Sequence, residues 1–237
     1  MVIITFIIKY GQSEKSLNEK IRKYDLLVSN NKAKKEYTPF SLNELENKND
    51  NVLVFDISMN LFNKFLVNGN LKLDKVLSAN KSQQAVFLIN NLDGEVHNGG
   101  FNQYYTNSRM QFMDLLPNLL NHIGAQRMSE LVHKANKTLE ENYKEIFKYQ
   151  DGTVEGFCKS YEDNPLNELD TEFYKLYEKE NLLELLTKFV RQNLTDFTAS
   201  ASNDLQRNVF LKNQYHQQII SLGGLVIYFG QYHFYVF

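Results

Sequence analysis

The sequence predicts a mainly α fold, a compact multi-helix domain with short β elements at its two termini. Two observations predict the helical part. Between residues 75 and 195 apolar side chains recur at helical spacing in four successive stripes, with cap signals between them. The 43% hydrophobic fraction is ample for a core behind those stripes. A third observation predicts the ends: β-branched and aromatic runs lie at Val2 to Ile8, Leu225 to Phe229 and Phe234 to Phe237. Three regions follow, an N-terminal extension (1–73), a helical domain (74–196) and an uncharged, strand-like C-terminal extension (197–237).

In chain order, Val2 to Ile8 reads as a buried strand bounded by Tyr10-Gly11. Glu14 to Lys35 is lysine-rich and spaces Leu17, Ile21, Tyr24 and Leu27 or Val28 for one short surface helix. Pro39 ends any continuation. Ser41 with Glu44 makes a capping-box pattern, but Asn47-Lys48-Asn49-Asp50-Asn51 reads as a loop. Val52 to Ile57 reads as a second strand, and Leu61 to Val67 as a short apolar element before an Asn68-Gly69-Asn70 turn.

The central helix is set by Ala85, Leu88, Ile89, Leu92 and Val96, one stripe at helical period. Asn80 caps its start, with Gln83 placed to reach back to the cap's own N–H. Gly94 costs about 1 kcal/mol against alanine in a helix interior, yet the helix is expected to continue through it. Asn98 and Gly99 are expected to stop it, with Gly99 or Gly100 at positive φ. Gly100 then permits a reversal that returns Phe101, Tyr104 and Tyr105 to the core.

Phe112, Leu115, Leu116, Leu119, Leu120 and Ile123 form the next stripe. Pro117 places its regular helix start near Asp114, or a bend there, and Gly124 closes it. Met128, Leu131, Val132, Ala135, Leu139, Tyr143 and Ile146 mark a long helix with Glu140, Glu141, Lys144 and Glu145 outward. Gly152, Gly156 and Pro165 mark an irregular connection from about Gln150 to Asn167. A last stripe begins at Asp170 with Phe173, Leu176 and Tyr177 inward. Asn181 with Glu184 caps a further helix to about Gln192, so Glu178 to Glu180 is a break. Asn213 to Phe237 contains no Lys, Arg, Asp or Glu and reads as strands around Gly230, paired with Val2 to Ile8. The alternative is a tail anchor, since Ile219 to Phe237 approaches the ~20 residues that span a bilayer.

Glu95-Val96-His97-Asn98-Gly99-Gly100-Phe101-Asn102-Gln103-Tyr104-Tyr105 resembles the E-V-N-N-G-G-F-x-Q-Y-[FY] signature of the bacterial DNA-mimic protein (DMP-type) family, with His97 in place of the usual asparagine. Asn121-His122-Ile123-Gly124-Ala125 resembles that family's x-x-I-G-A helix end, and Leu169-Asp170-Thr171-Glu172-Phe173-Tyr174 its L-D-x-x-F-Y helix start. The resemblance spans roughly residues 75 to 195. It implies an all-helical, non-enzymatic protein whose acidic surface stands in for duplex DNA before a DNA-binding regulator.

Charge bears on that implication. The net charge of -2 gives no global pull toward nucleic acid or anionic membrane. Residues 140 to 184, however, hold 13 acidic and 5 basic side chains. Duplex DNA carries about one negative charge per 1.7 Å of axis, which two acidic helices side by side can approximate in part. The candidate face comprises Glu140, Glu141, Glu145, Asp151, Glu155, Glu162, Asp163, Glu168, Asp170 and Glu172. The partner expected is a basic DNA-binding protein, with no direct nucleic acid or membrane contact; a homodimer is left open.

Glu95, Asn98, Gly99, Gly100, Phe101, Gln103 and Tyr104 are read as structural, with Glu95 buried and bonded to backbone amides. The rival is an enzyme using the Glu95 to Tyr104 turn, and a second alternative is an immunity-type inhibitor. No catalytic group, cofactor or metal is predicted: His97, His122, His133, His216 and His233 lack the spacing of a helical zinc motif. The one cysteine, Cys158, cannot form an internal bridge, and no export signal is evident, which together point to the cytoplasm.

Overall fold

Helix α4, Lys81–Tyr104, is the element on which the others assemble. The computed structural model describes residues 37–67, 70–149, 151 and 153–199. The expected terminal strands, the Glu14 to Lys35 helix and the tail-anchor alternative lie outside the described residues. Along the chain come α1 (Leu42–Glu46), α2 (Asp50–Phe65), β1 (Leu66–Val67), β2 (Asn70–Leu71), α3 (Leu73–Leu77) and α4. A π turn (Tyr105–Arg109) and a 3-10 turn (Met110–Phe112) lead to α5 (Leu116–His122) and α6 (Gln126–Ile146). The series ends with α7 (Val154–Lys159), α8 (Asn167–Tyr177), α9 (Leu182–Gln192) and a 3-10 turn (Leu194–Phe197). Helices α2, α5, α8 and α9 all pack on α4, and α6 packs on α5 and α8.

The stripes between 75 and 195 are helices, and no strand pairing occurs among the described residues of that range. Their cap signals also hold. Asn80 Oδ1 accepts from Gln83 N–H at 2.8 Å, and Asn181 Oδ1 from Glu184 N–H at 3.1 Å. The reach back of Gln83 does not form: its amide donates to Asp196 O at 2.7 Å and accepts from Lys64 Nζ at 2.7 Å. Pro117 sits in the first turn of α5, where its missing N–H costs nothing, and Gly124 ends that segment at φ 87°. Ala125 offers α6 no side-chain cap. Glu180, from the break before α9, accepts from Arg127 N–H at 3.2 Å and Met128 N–H at 3.0 Å instead.

Three expectations are corrected. Val52 to Ile57 is not a strand but part of α2, in which Leu53, Ile57, Leu61 and Phe65 repeat every four residues and are all buried. β-branched character misled there, because packing against α4 rewards the period of four over local preference. The loop expected over Asn47 to Asn51 is confined to residues 47–49, since Asp50 and Asn51 already belong to α2, which Asn49 caps by accepting from Asn51 N–H at 2.9 Å. The connection after Ile146 contains α7, capped by Thr153 Oγ1 on Gly156 N–H at 3.0 Å. The only ladder among the described residues is antiparallel, with Leu66 opposite Leu71 and Val67 opposite Asn70.

The core is aromatic at its centre. Phe87 meets Phe65 edge to face at 5.0 Å between centroids, and Phe101 meets Phe173 at 5.9 Å. Buried Tyr105 donates from Oη to Asn136 Oδ1 at 2.7 Å, and Asn136 Nδ2 donates to Met113 O at 2.9 Å, so this buried polar pair is satisfied.

Candidate functional site

Two features carry the residues singled out by sequence: a kink in α4 and an acidic exterior on α6 through α8. The kink comes first, because it positions α8. Helix α4 leaves helical geometry at Gly99 (φ -162°, ψ 30°) and Gly100 (φ 70°, ψ -175°) and resumes at Phe101. The expected stop at Asn98-Gly99 is therefore a break within one helix, and Gly100 rather than Gly99 has the positive φ. Its backbone lies in a region open essentially to glycine alone.

A helix break leaves nearby backbone groups without helical partners. Three side chains from residues 161–174 supply them. Tyr161 Oη donates to Gly99 O at 2.9 Å, Tyr174 Oη donates to Val96 O at 3.0 Å, and Asp170 Oδ1 accepts from Phe101 N–H at 2.8 Å. Asp170 and Tyr174 are one turn apart on α8, which is why they reach the same break. Leu169 and Phe173 beside them are buried in the core. The EVHNGGFNQYY and LDTEFY motifs are thus two halves of one clasp.

The clasp leaves no room for side chains at the glycines. A Cβ on Gly100 would lie 2.6 Å from Asp170 Cγ, and one on Gly99 would lie 2.7 Å from Tyr161 Oη and 2.9 Å from Gln103 Cβ. Burial raises the Asp170 carboxyl to a pKa of about 6, against the opposing pull of the Phe101 N–H. Burial likewise pushes the Tyr161 phenol up, eased by a hydrogen bond with Asn102 and reinforced by the Asp170 charge.

Glu95 and His97 serve different partners. Glu95 is half-buried, and its Oε2 accepts from Gln103 Nε2 and Asn107 Nδ2, each at 2.8 Å. The expectation of full burial is corrected here, and because the helix resumes after the kink, it brings side-chain amides back alongside Glu95. His97 Nδ1 lies 2.8 Å from Asp93 O and 3.2 Å from Asp93 Oδ1. Both are acceptors, so Nδ1 carries the hydrogen. The ring packs edge to face on Phe173, Tyr174 and Tyr177 at 5.5, 5.6 and 4.6 Å. Asn98 is exposed, whereas Phe101 and Tyr104 are buried.

On the exterior, nine of the ten carboxylates expected on an acidic face are exposed: Glu140, Glu141, Glu145, Asp151, Glu155, Glu162, Asp163, Glu168 and Glu172. Asp170 is the exception, its carboxylate turned to the kink. Four of the nine are paired: Glu141 with Lys137 at 3.7 Å, Glu145 with Lys148, Glu155 with Lys159 at 3.2 Å and Glu172 with Lys134 at 2.8 Å. Exposed pairs of this kind add at most about 1 kcal/mol to stability, but they cancel charge locally. Asp151 accepts from the Thr153 hydroxyl at 2.6 Å and its N–H at 2.9 Å, which lower its pKa. Glu140, Glu162, Asp163 and Glu168 take part in no ion pair among the described residues. The field of this exterior therefore rests on those four and Asp151.

Sequence reasoning missed Tyr161, Asn102 and Ser160. Asn102 Nδ2 donates to Ser160 Oγ at 2.7 Å in the interior below the kink. None of the three belongs to a periodic stripe, so no signal in the sequence marks them. Cys158 is exposed. Among the described residues no helix is long and apolar enough to cross a membrane, and no group of three or more His, Cys, Asp or Glu could hold a metal ion.

Residues 78–193 match the family model described as DMP19-like protein, which bears out the resemblance to the DNA-mimic family over nearly the segment that carries its motifs. No curated protein and no solved structure matches the chain.

Proposed function

We propose that this DMP19-like chain is a non-enzymatic protein-binding module that occupies the DNA-binding surface of a basic protein such as a transcription regulator, its carboxylates standing in for phosphates. The observation that carries the reading is the set of exposed carboxylates without ion-pair partners among the described residues, Glu140, Glu162, Asp163 and Glu168, inside the family-matched segment. They lie on α6, on the turn after α7 and on α8, and α6 packs on α8. The proposed setting is the cytoplasm, where Cys158 stays a thiol.

An immunity-type inhibitor would use the same charges against an enzyme, and competition separates the two readings. A regulator held through phosphate mimicry is released by duplex DNA, whereas an enzyme held elsewhere is not. The enzyme alternative has less support, since Glu95 is engaged by two amides and His97 by Asp93.

The test is to identify proteins retained by the immobilised chain, then measure their affinity at low and high salt with and without competing DNA. Charge-matched interfaces are screened over about 8–10 Å at ordinary ionic strength, so binding should weaken steeply with salt. Reversing Glu140, Glu162 and Glu168 together to lysine should weaken it further while leaving the fold intact. A complex indifferent to salt, to DNA and to the triple reversal overturns the proposal.

A further inference from the structure

We propose that the Gly99-Gly100 kink is a proton-linked hinge: ionisation of Asp170, whose carboxylate fills the break and joins no ion pair among the described residues, favours a locally open state in which α8 lifts from α4 and water reaches the carboxylate. The inference starts from geometry. The Asp170 carboxylate is wedged against Gly100 and bound to Phe101 N–H, and none of the ion pairs among the described residues includes it. The backbone it clasps has left the helix at Gly99 and Gly100, so its groups depend on these side chains rather than on helical partners. The three tethers to the break come from one short stretch, so they can release together.

The neighbouring groups do not neutralise the carboxylate. Tyr105 of the π turn and Tyr161 of the turn after α7 both feel its charge. Tyr104 of α4 and Glu140 of α6 act on Tyr105, while Glu95 of α4 and Cys158 of α7 act on Tyr161. On α8 itself Glu168 and Glu172 flank Asp170, and Lys134 of α6 is taken by Glu172. A buried carboxylate that joins no ion pair among the described residues is more easily ionised once hydrated.

The pH window follows from the direction of the shift. In the closed state the carboxyl has a pKa of about 6, above the ordinary 3.8, so the closed state holds the proton more tightly. The closed state is therefore most favoured below 3.8 and loses that advantage until the pH passes about 6, above which the loss is complete. Over that window the opening equilibrium rises about tenfold per pH unit, about a hundredfold in all. Opening at the kink is thus about a hundredfold easier at neutral pH than below the ordinary carboxylate pKa. No partner enters this inference, so it stands or falls apart from the proposed function.

The test is native-state amide exchange on the full chain between about pH 4 and about pH 7, read as the protection factor of the Phe101 amide relative to that of Leu131 in α6. In the wild type this ratio should fall about a hundredfold up to pH ~6 and then level off. Asp170→Asn keeps an acceptor for Phe101 N–H and loses the titration, so its ratio should be flat; Glu95 and Glu140 are unchanged in it and cancel in the comparison. Tyr161→Phe removes the Gly99 tether and the hydrogen bond with Asn102 but leaves the Asp170 carboxyl in place, and should lower protection at every pH while keeping the slope. Parallel profiles for wild type and Asp170→Asn overturn the hinge. Should Asp170→Asn not fold, carbon NMR titration of the Asp170 carboxyl in the wild type decides: a midpoint near 6 supports the hinge, and one near the ordinary 3.8 overturns it.

Discussion

Replacing Gly100 by alanine isolates the physics of the clasp. Two penalties add. The backbone at φ 70° and ψ -175° costs a residue with a Cβ about 1–3 kcal/mol. The new Cβ, 2.6 Å from Asp170 Cγ, also displaces the carboxylate and so breaks its bond from Phe101 N–H. A hydrogen bond to a charged group contributes about 1.5–3 kcal/mol. Gly100→Ala should therefore destabilise by about 3–6 kcal/mol, a large part of the ~5–15 kcal/mol that holds a domain together. Urea unfolding of wild type, Gly100→Ala, Asp170→Ala and the double variant closes a thermodynamic cycle. With Asp170 already truncated, the glycine substitution should cost only the conformational part, about 1–3 kcal/mol, leaving a coupling of about 2 kcal/mol. A loss below about 1 kcal/mol for Gly100→Ala, or the same loss with and without Asp170, would refute the reasoning. Gly99→Ala is a control with a different origin: its φ of -162° is extended backbone that any residue adopts, and its obstruction is Tyr161 Oη and Gln103 Cβ. Its penalty should respond to Tyr161→Phe and not to Asp170→Ala.

Two further outcomes test contacts distant in sequence. Glu180→Ala removes the borrowed cap of α6 from Arg127 and Met128 N–H and should cost about 1–2 kcal/mol in urea unfolding, whereas Glu180→Gln, which keeps one of the two acceptor oxygens, should cost less; equal losses would count against the cap. Arg191 Nη1 donates to Leu45 O at 2.6 Å and Nη2 donates to Lys48 O, while its guanidinium pairs with Asp50 at 2.6 Å, joining α9 to the α1–α2 turn. Lysine cannot reproduce that fork, so Arg191→Lys should destabilise by about 1–3 kcal/mol and speed amide exchange at the start of α2; unchanged exchange there would contradict the role assigned to Arg191.

The acidic exterior was legible only as composition. Sequence gave the excess of carboxylates between 140 and 184, because counting needs no geometry. It did not separate Glu141, Glu145, Glu155 and Glu172, which lysines neutralise, from Glu140, Glu162, Asp163 and Glu168. Three of the pairings were readable in principle as neighbours three or four residues apart on a helix. Lys134 with Glu172 was not, since it joins two helices. Asp170 looked like one more surface acid for the same reason: nothing local distinguishes a carboxylate that faces water from one that faces a break in another helix.

By itself the sequence determined the helices from Lys81 to Gln192 apart from α7, and the Asn80 and Asn181 caps, since amphipathic period and cap chemistry are local properties written within a few residues. It also determined that the double glycine disturbs the backbone, because only glycine enters the conformation Gly100 adopts. Only the tertiary structure decided what that disturbance is. Seen locally, Asn98-Gly99-Gly100 is a helix stop; with Asp170 offering an acceptor to Phe101 N–H from 69 positions away, the next turn can nucleate and the helix resumes. The same holds for Val52 to Ile57, whose β-branched run becomes helix once α4 supplies a surface matching its period of four, and for α6, whose start is capped by Glu180 from across the fold. Local preferences are worth tenths of a kcal/mol per residue, whereas one buried contact or satisfied backbone group is worth about 1 kcal/mol or more, so partners distant in sequence win wherever the two disagree.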